Sequence, residues 1–149
     1  LLNGLKVVGK DIKQVKLVTS GAGAAALACL SLLLKLGLPR ENIYVTDLAG
    51  VVYEGRTELM DEDKIQFAQK TEARTLGQII EGADVFLGLS AGGVLKPEMV
   101  ATMAERPVIF ALANPNPESF SHAVTARVEA GLRRAGHEVI VHDLYAEPL

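Results

Sequence analysis

Short apolar runs alternate along the chain with stretches whose apolar residues suit helices. Val15-Lys16-Leu17-Val18-Thr19 predicts a first strand, and the apolar and small residues Leu27 to Leu36 predict the helix behind it. Gly37 stops that helix, with Pro39 two residues on. Ile43-Tyr44-Val45-Thr46 reads as a second strand ending in Asp47, and Leu48 to Met60 as a long loop. Asp61-Glu62-Asp63 puts acid at the start of a helix through about Lys70. Thr75 and Gln78 form a capping box for a short helix ending at Gly82. Asp84 to Leu87 predicts a third strand, and Pro97 the first turn of a helix to about Ala104. Val108 to Leu112, apolar throughout, reads as a central fourth strand. Ser119 caps a helix whose Phe120, Ala123, Val124, Val128 and Leu132 share one face, and Gly136 ends it. Val139-Ile140-Val141 predicts a fifth strand, at an edge between Glu138 and His142. Leu1 to Lys13 has no clear period and is unassigned or briefly helical.

The join between the first strand and its helix organises the rest. Gly21-Ala22-Gly23-Ala24-Ala25-Ala26 has the G-x-G-x-x-G/A form of a dinucleotide-binding turn. Gly21 permits the tight turn, Gly23 leaves room for a pyrophosphate against the backbone, and Ala26 lets helix and strand pack closely. The helix N-terminus then presents free N–H groups and its positive dipole end to the phosphates. Asp47 lies close to the interval of roughly 20 residues at which an acid meets the adenosine ribose hydroxyls. The bland alternatives are small residues serving helix packing and an acid that merely ends a strand.

Alternating strands and helices imply an α/β fold with a parallel sheet. The expectation is a three-layer Rossmann-like domain over residues 1–149, with five parallel strands in the order 2-1-3-4-5 by sequence. This is equivalent to the half-Rossmann order 3-2-1-4-5. The ligand crevice would open between the first and third strands, over Gly21 to Gly23 and Ser90 to Gly93.

Composition narrows the partners. With 49% hydrophobic residues and a net charge of −3, disorder and nucleic-acid binding are not suggested. The apolar run Ala22 to Leu34 is shorter than the roughly 20 residues of a membrane span and is broken by Ser31. Cys29 is expected to be a small buried side chain, so no disulfide or metal framework is anticipated. No signal peptide is visible, a cytoplasmic location is the default, and the opening Leu1-Leu2 suggests a domain excised from something longer. His122, His137 and His142 have no metal-ligand spacing.

The stretches SGAGAAALACL, IYVTDLAGVVYEGRTELM, EGADVFLGLSAGGVLKPEMV and ALANPNPE resemble the nucleotide-binding domain of bacterial malic enzymes, over about residues 4–115. The resemblance implies an NAD(P) site. Gly21, Ala22, Gly23, Ala24, Ala25 and Ala26 would hold the pyrophosphate and Asp47 the adenosine ribose. Ser90 and Ala91 would lie beside the nicotinamide half, and Asn114 near its ribose or amide. From Asn114 onward the chain instead resembles the first loop, helix and second strand of flavodoxin-like NAD(P)H:quinone oxidoreductases. Together the two resemblances imply a chimera, more in keeping with a deliberately built hybrid than a natural recombinant. The malic-enzyme part would end at 115 and a flavodoxin-like βα unit would occupy 116–149.

Malic enzymes oxidise and decarboxylate malate with a metal, a lysine and a tyrosine that the resemblance places upstream of this segment. Lys96 and Tyr53 are present but not paired with carboxylates, and the three acids Asp61 to Asp63 read as dipole complements. Three functions remain open. The first is a module that binds NAD, with NADP possible, without turnover. The second is an oxidoreductase that completes its site by forming a homodimer, and the third is a hybrid holding no cofactor. A flavin at Asn116 to Ser119 is the alternative ligand.

Overall fold

The computed structural model describes residues 1–90 and 93–111, together with residues 126, 129–131, 133, 134 and 136. Ala91, Asn114, the three histidines and the expected strand Val139 to Val141 lie outside the described residues. The elements in chain order are α1 (Leu2–Val7), β1 (Leu17–Ser20), α2 (Ala24–Lys35), β2 (Ile43–Asp47), β3 (Gly50–Val51) and α3 (Glu62–Ile65). They continue with α4 (Leu76–Ile80), β4 (Val85–Gly88), α5 (Pro97–Val100) and β5 (Val108–Ala111).

Four parallel strands stand in the expected order β2-β1-β4-β5, with Leu17 opposite both Ile43 and Val85 and Val85 opposite Val108. The fifth strand of the described sheet departs from the all-parallel expectation. It is β3, a two-residue return antiparallel to β2, with Thr46 opposite Val51 and Asp47 opposite Gly50. Gly50 allows this return because φ is +98° and an added Cβ would lie 2.2 Å from the Arg74 carbonyl oxygen.

Alternate strand residues feed two separate cores. Leu17, Ile43, Val45 and Val85 join Leu27, Leu30 and Leu33 of α2 and Phe67 on one face. Val18 and Phe86 join Ile79 and Ile80 of α4, Val100 of α5 and Met103 on the other. Two apolar faces on one sheet are what a parallel α/β sheet requires, and each layer of helices covers one of them.

Helix α2 starts at the glycine turn and ends before Gly37, whose φ is +101°. The capping box of Thr75 and Gln78 starts α4. The helix expected from Asp61 to Lys70 is only α3, capped by Asp61 through the Lys64 N–H at 2.8 Å. It stops early because Phe67, Ala68 and Gln69 turn inward to be buried, and Gln69 donates to the Arg40 and Ile43 carbonyls. Cys29 is exposed rather than buried, because α2 turns Ala26, Leu27, Leu30 and Leu33 to the sheet and leaves position 29 outside.

Candidate functional site

The chain leaves β1 towards β2 on one side and reaches β4 on the other, so β1 and β4 bound the point where strand order reverses. Two loops meet above it: the glycine turn after β1 and the segment Leu89-Ser90 after β4. Gly21 has φ +115°, and a Cβ there would stand 3.0 Å from the Leu89 carbonyl and 3.2 Å from the Ser90 nitrogen. Its N–H donates to the Thr46 carbonyl at 2.8 Å, so the turn is pinned to both neighbouring strand ends.

Gly23 differs in kind. It is the N-cap of α2 in extended backbone, no side chain caps the helix, and a Cβ added there meets nothing within 4 Å. The first N–H groups of α2 therefore have no intrahelical acceptor and no protein cap. Ala24 and Ala25 are exposed beside them, while Ala22 and Ala26 are buried, Ala26 against the sheet. The result is an open cradle of backbone donors at the positive end of a helix of 12 residues.

Hydroxyls line the carboxyl ends of the parallel strands. Thr46 Oγ1 donates to the Thr19 carbonyl at 3.1 Å and Thr19 Oγ1 to the Leu87 carbonyl at 2.9 Å. Ser20 Oγ and Ser90 Oγ lie 2.6 Å apart.

Asp47 ends β2 with its carboxylate nearly buried, at 10% exposure. Oδ1 accepts the Ala49 N–H at 2.9 Å, and Oδ2 accepts Arg56 Nη2 at 2.5 Å and Lys64 Nζ at 3.3 Å. Burial pushes its pKa up, but the hydrogen bonds from Arg56, Ala49 and Lys64 outweigh burial and hold it below the usual carboxylate value. The guanidinium of Arg56 is buried, so it does not reach out toward a ligand phosphate. Nε donates to the Glu58 carbonyl, and Nη1 to those of Gly50 and Val51. Nothing in the loop's composition announced this.

The other residues weighed for chemistry lie elsewhere. Tyr53 carries the Arg74 guanidinium 3.6 Å from its ring centroid, and exposed Lys96 is the N-cap of α5. Among the described residues no group of three or more His, Cys, Asp or Glu side chains is placed to hold a metal ion, and no helix is long and apolar enough to cross a membrane.

Residues 1–130 match the family described as "Malic enzyme, NAD binding domain". The NAD-dependent malic enzyme of Rhizobium meliloti (strain 1021) is 64% identical over 118 residues, spanning 79% of this chain and 15% of that protein. The NADP-dependent malic enzyme of Escherichia coli (strain K12) is 55% identical over 119 residues, spanning 79% of this chain and 16% of that protein. Among solved structures, the NAD-dependent malic enzyme of Thermotoga maritima aligns with a TM-score of 0.68 at 36% identity, covering 83% of this chain and 34% of that one. The malic enzyme of Pyrococcus horikoshii aligns with a TM-score of 0.73 at 29% identity, covering 87% and 32%. The chain thus spans about 15% of these curated relatives' length and about a third of the solved enzymes.

Proposed function

Because the chain belongs to the family of malic enzyme NAD-binding domains, we propose that it holds NAD across the crevice between β1 and β4 and performs no malate oxidation by itself. The uncapped start of α2 carries this reading. Gly23 leaves open space at the very place where helix N–H groups lack acceptors, and a pyrophosphate supplies acceptors and negative charge together. Gly21 to Ala26 bind the pyrophosphate, and Asp47 accepts from the adenosine ribose through lone pairs that Ala49, Arg56 and Lys64 leave free. Ser90 lies toward the nicotinamide half. Ala91 and Asn114, outside the described residues, keep the roles that the resemblance implies. A family with both NAD- and NADP-dependent relatives leaves the 2′ position to be decided at Asp47.

These contacts recognise phosphate and ribose, so they act alike on ground and transition states and give affinity without rate. Hydride transfer also needs malate held against the nicotinamide and a base on its hydroxyl. Tyr53 is engaged with Arg74, and no described residue pairs Lys96 with a carboxylate in the crevice. The NAD-binding unit is a single Rossmann-like domain, cytoplasmic, with a homodimer compatible with the exposed Leu32 on α2 and Leu36 just after it. A hybrid origin is part of the same reading. It rests only on the flavodoxin-like wording NPNPESF from Asn114, while the family match runs past the expected junction at 115 to residue 130.

The test is reduction of NAD or NADP by the 149-residue chain with malate and manganese. No turnover is expected. Sustained turnover that disappears in Gly23→Val would replace the binding module with an enzyme.

A further inference from the structure

Ser20 is almost fully buried at the end of β1, at 5% exposure, whereas Ser90 after β4 is exposed. Their hydroxyl oxygens stand 2.6 Å apart, at the short end for an O–H···O bond. A serine hydroxyl has one hydrogen and two lone pairs, so only one of the two can donate in this contact. If Ser90 donated, the buried Ser20 hydrogen would need a second acceptor. Among the described residues Ser90 Oγ is the side-chain partner that Ser20 has. If Ser20 donates, the buried hydroxyl is satisfied and the exposed Ser90 hydrogen is left over. The second arrangement is favoured, because an unsatisfied buried donor is costly and an exposed one is not.

The backbone around the pair is fixed as well. The Leu89 N–H donates to the Ser20 carbonyl at 2.9 Å, and Gly21 leaves no room for a Cβ against Leu89 and Ser90. The exposed hydroxyl is thereby held at a set distance from the phosphate turn. Accepting a bond from Ser20 also polarises Ser90 and makes it a better donor.

We propose that Ser20 is a positioning residue for the bound dinucleotide. Its hydroxyl donates to Ser90 Oγ and turns the Ser90 O–H outward, to donate to an oxygen in the nicotinamide-side half of the ligand. The proposal rests on the NAD reading above and adds to it the hydroxyl that selects this half. Ser90 makes the contact, and Ser20 acts only through Ser90.

The experiment compares NAD with ADP, which carries the same adenosine and both phosphates but no nicotinamide riboside. Both are titrated into the unaltered 149-residue chain, Ser20→Ala, Ser90→Ala and the double variant, with circular dichroism as the check on folding. Each single variant is expected to bind NAD about three- to tenfold more weakly, the size of one uncharged hydrogen bond. The double variant should lose no more than either single one, because both remove the same contact. ADP affinity should stay unchanged throughout. Equal losses for ADP and NAD would make Ser20 a structural support of the phosphate turn and overturn the proposal. So would additive losses, or no loss in Ser90→Ala, whose exposed site leaves folding intact. An unaltered chain that takes up no NAD would instead overturn the NAD reading on which the proposal rests.

Discussion

Replacing Arg56 with Leu should lower the unfolding free energy by about 3–5 kcal/mol, the size of the loss when one partner of a buried ion pair is removed. For a domain of this length that is a fall of about 10 °C in the melting temperature. The guanidinium serves three carbonyls, of Gly50, Val51 and Glu58, besides the Asp47 carboxylate, and its side chain is 3% exposed. Leucine fills part of the volume but leaves those acceptors unpaired and Asp47 held by the Ala49 N–H and Lys64. Arg56→Lys should recover little, because a point charge cannot serve a fork of several acceptors. The loss should also depend on pH. The folded-state pKa of Asp47 is depressed, so its contribution is fully present above the ordinary carboxylate pKa of about 4 and is lost as pH falls through the folded value. The gap between wild type and Arg56→Leu should therefore be widest near neutral pH and narrow below about pH 4. Thermal denaturation at pH 7 and pH 3 measures both. A change under 1 kcal/mol at pH 7 would show that the pair does not hold the β2–β3 return.

That pair marks the boundary of what the chain discloses by itself. The glycine turn, the stop at Gly37, the capping box and the order of the four parallel strands follow from local signals and are found in the structure. The return β3 is not locally readable, because two residues are too few for a period of two. Its cause is the approach of Gly50 to the Arg74 carbonyl, 24 positions further along the chain. The burial of Arg56 and the exposure of Cys29 likewise depend on which way an element faces, and composition gives no direction. A helix apolar apart from Ser31 and Lys35, as α2 is, offers no continuous polar face from which to tell that position 29 looks outward. For the site, Gly21, Gly23, Asp47 and Ser90 all lie around the same strand ends, but the hydroxyl contact between Ser20 and Ser90 joins a strand end to a residue 70 positions away and has no sequence signature.

The second large effect is expected at Gly23. Its backbone is extended, at φ −78°, and an added Cβ meets no atom within 4 Å, so a side chain there starts into open space and the backbone conformation accepts it. The same open space is the bed of the proposed pyrophosphate, whose oxygens must come within hydrogen-bond distance of the α2 N–H groups. Gly23→Val should therefore leave the melting temperature within a few degrees of wild type while weakening NAD by about a hundredfold or more, as several charge-assisted hydrogen bonds are lost together. Gly21→Val should behave differently, because φ +115° and the backbone of Leu89 at 3.0 Å make it damage the fold itself. NAD affinity unchanged in a folded Gly23→Val protein would remove the glycine turn from the site.

Titration calorimetry of the unaltered chain with NAD, NADP and FMN tests the central claim most directly. A single saturable site for NAD is predicted. NADP should bind about tenfold more weakly, because a 2′-phosphate has no hydrogen to donate to the Asp47 carboxylate, even though Arg56 and Lys64 offset the carboxylate's charge. FMN should give no binding heat. Absence of binding by either dinucleotide, tighter binding of NADP than NAD, or saturable FMN binding would contradict the account.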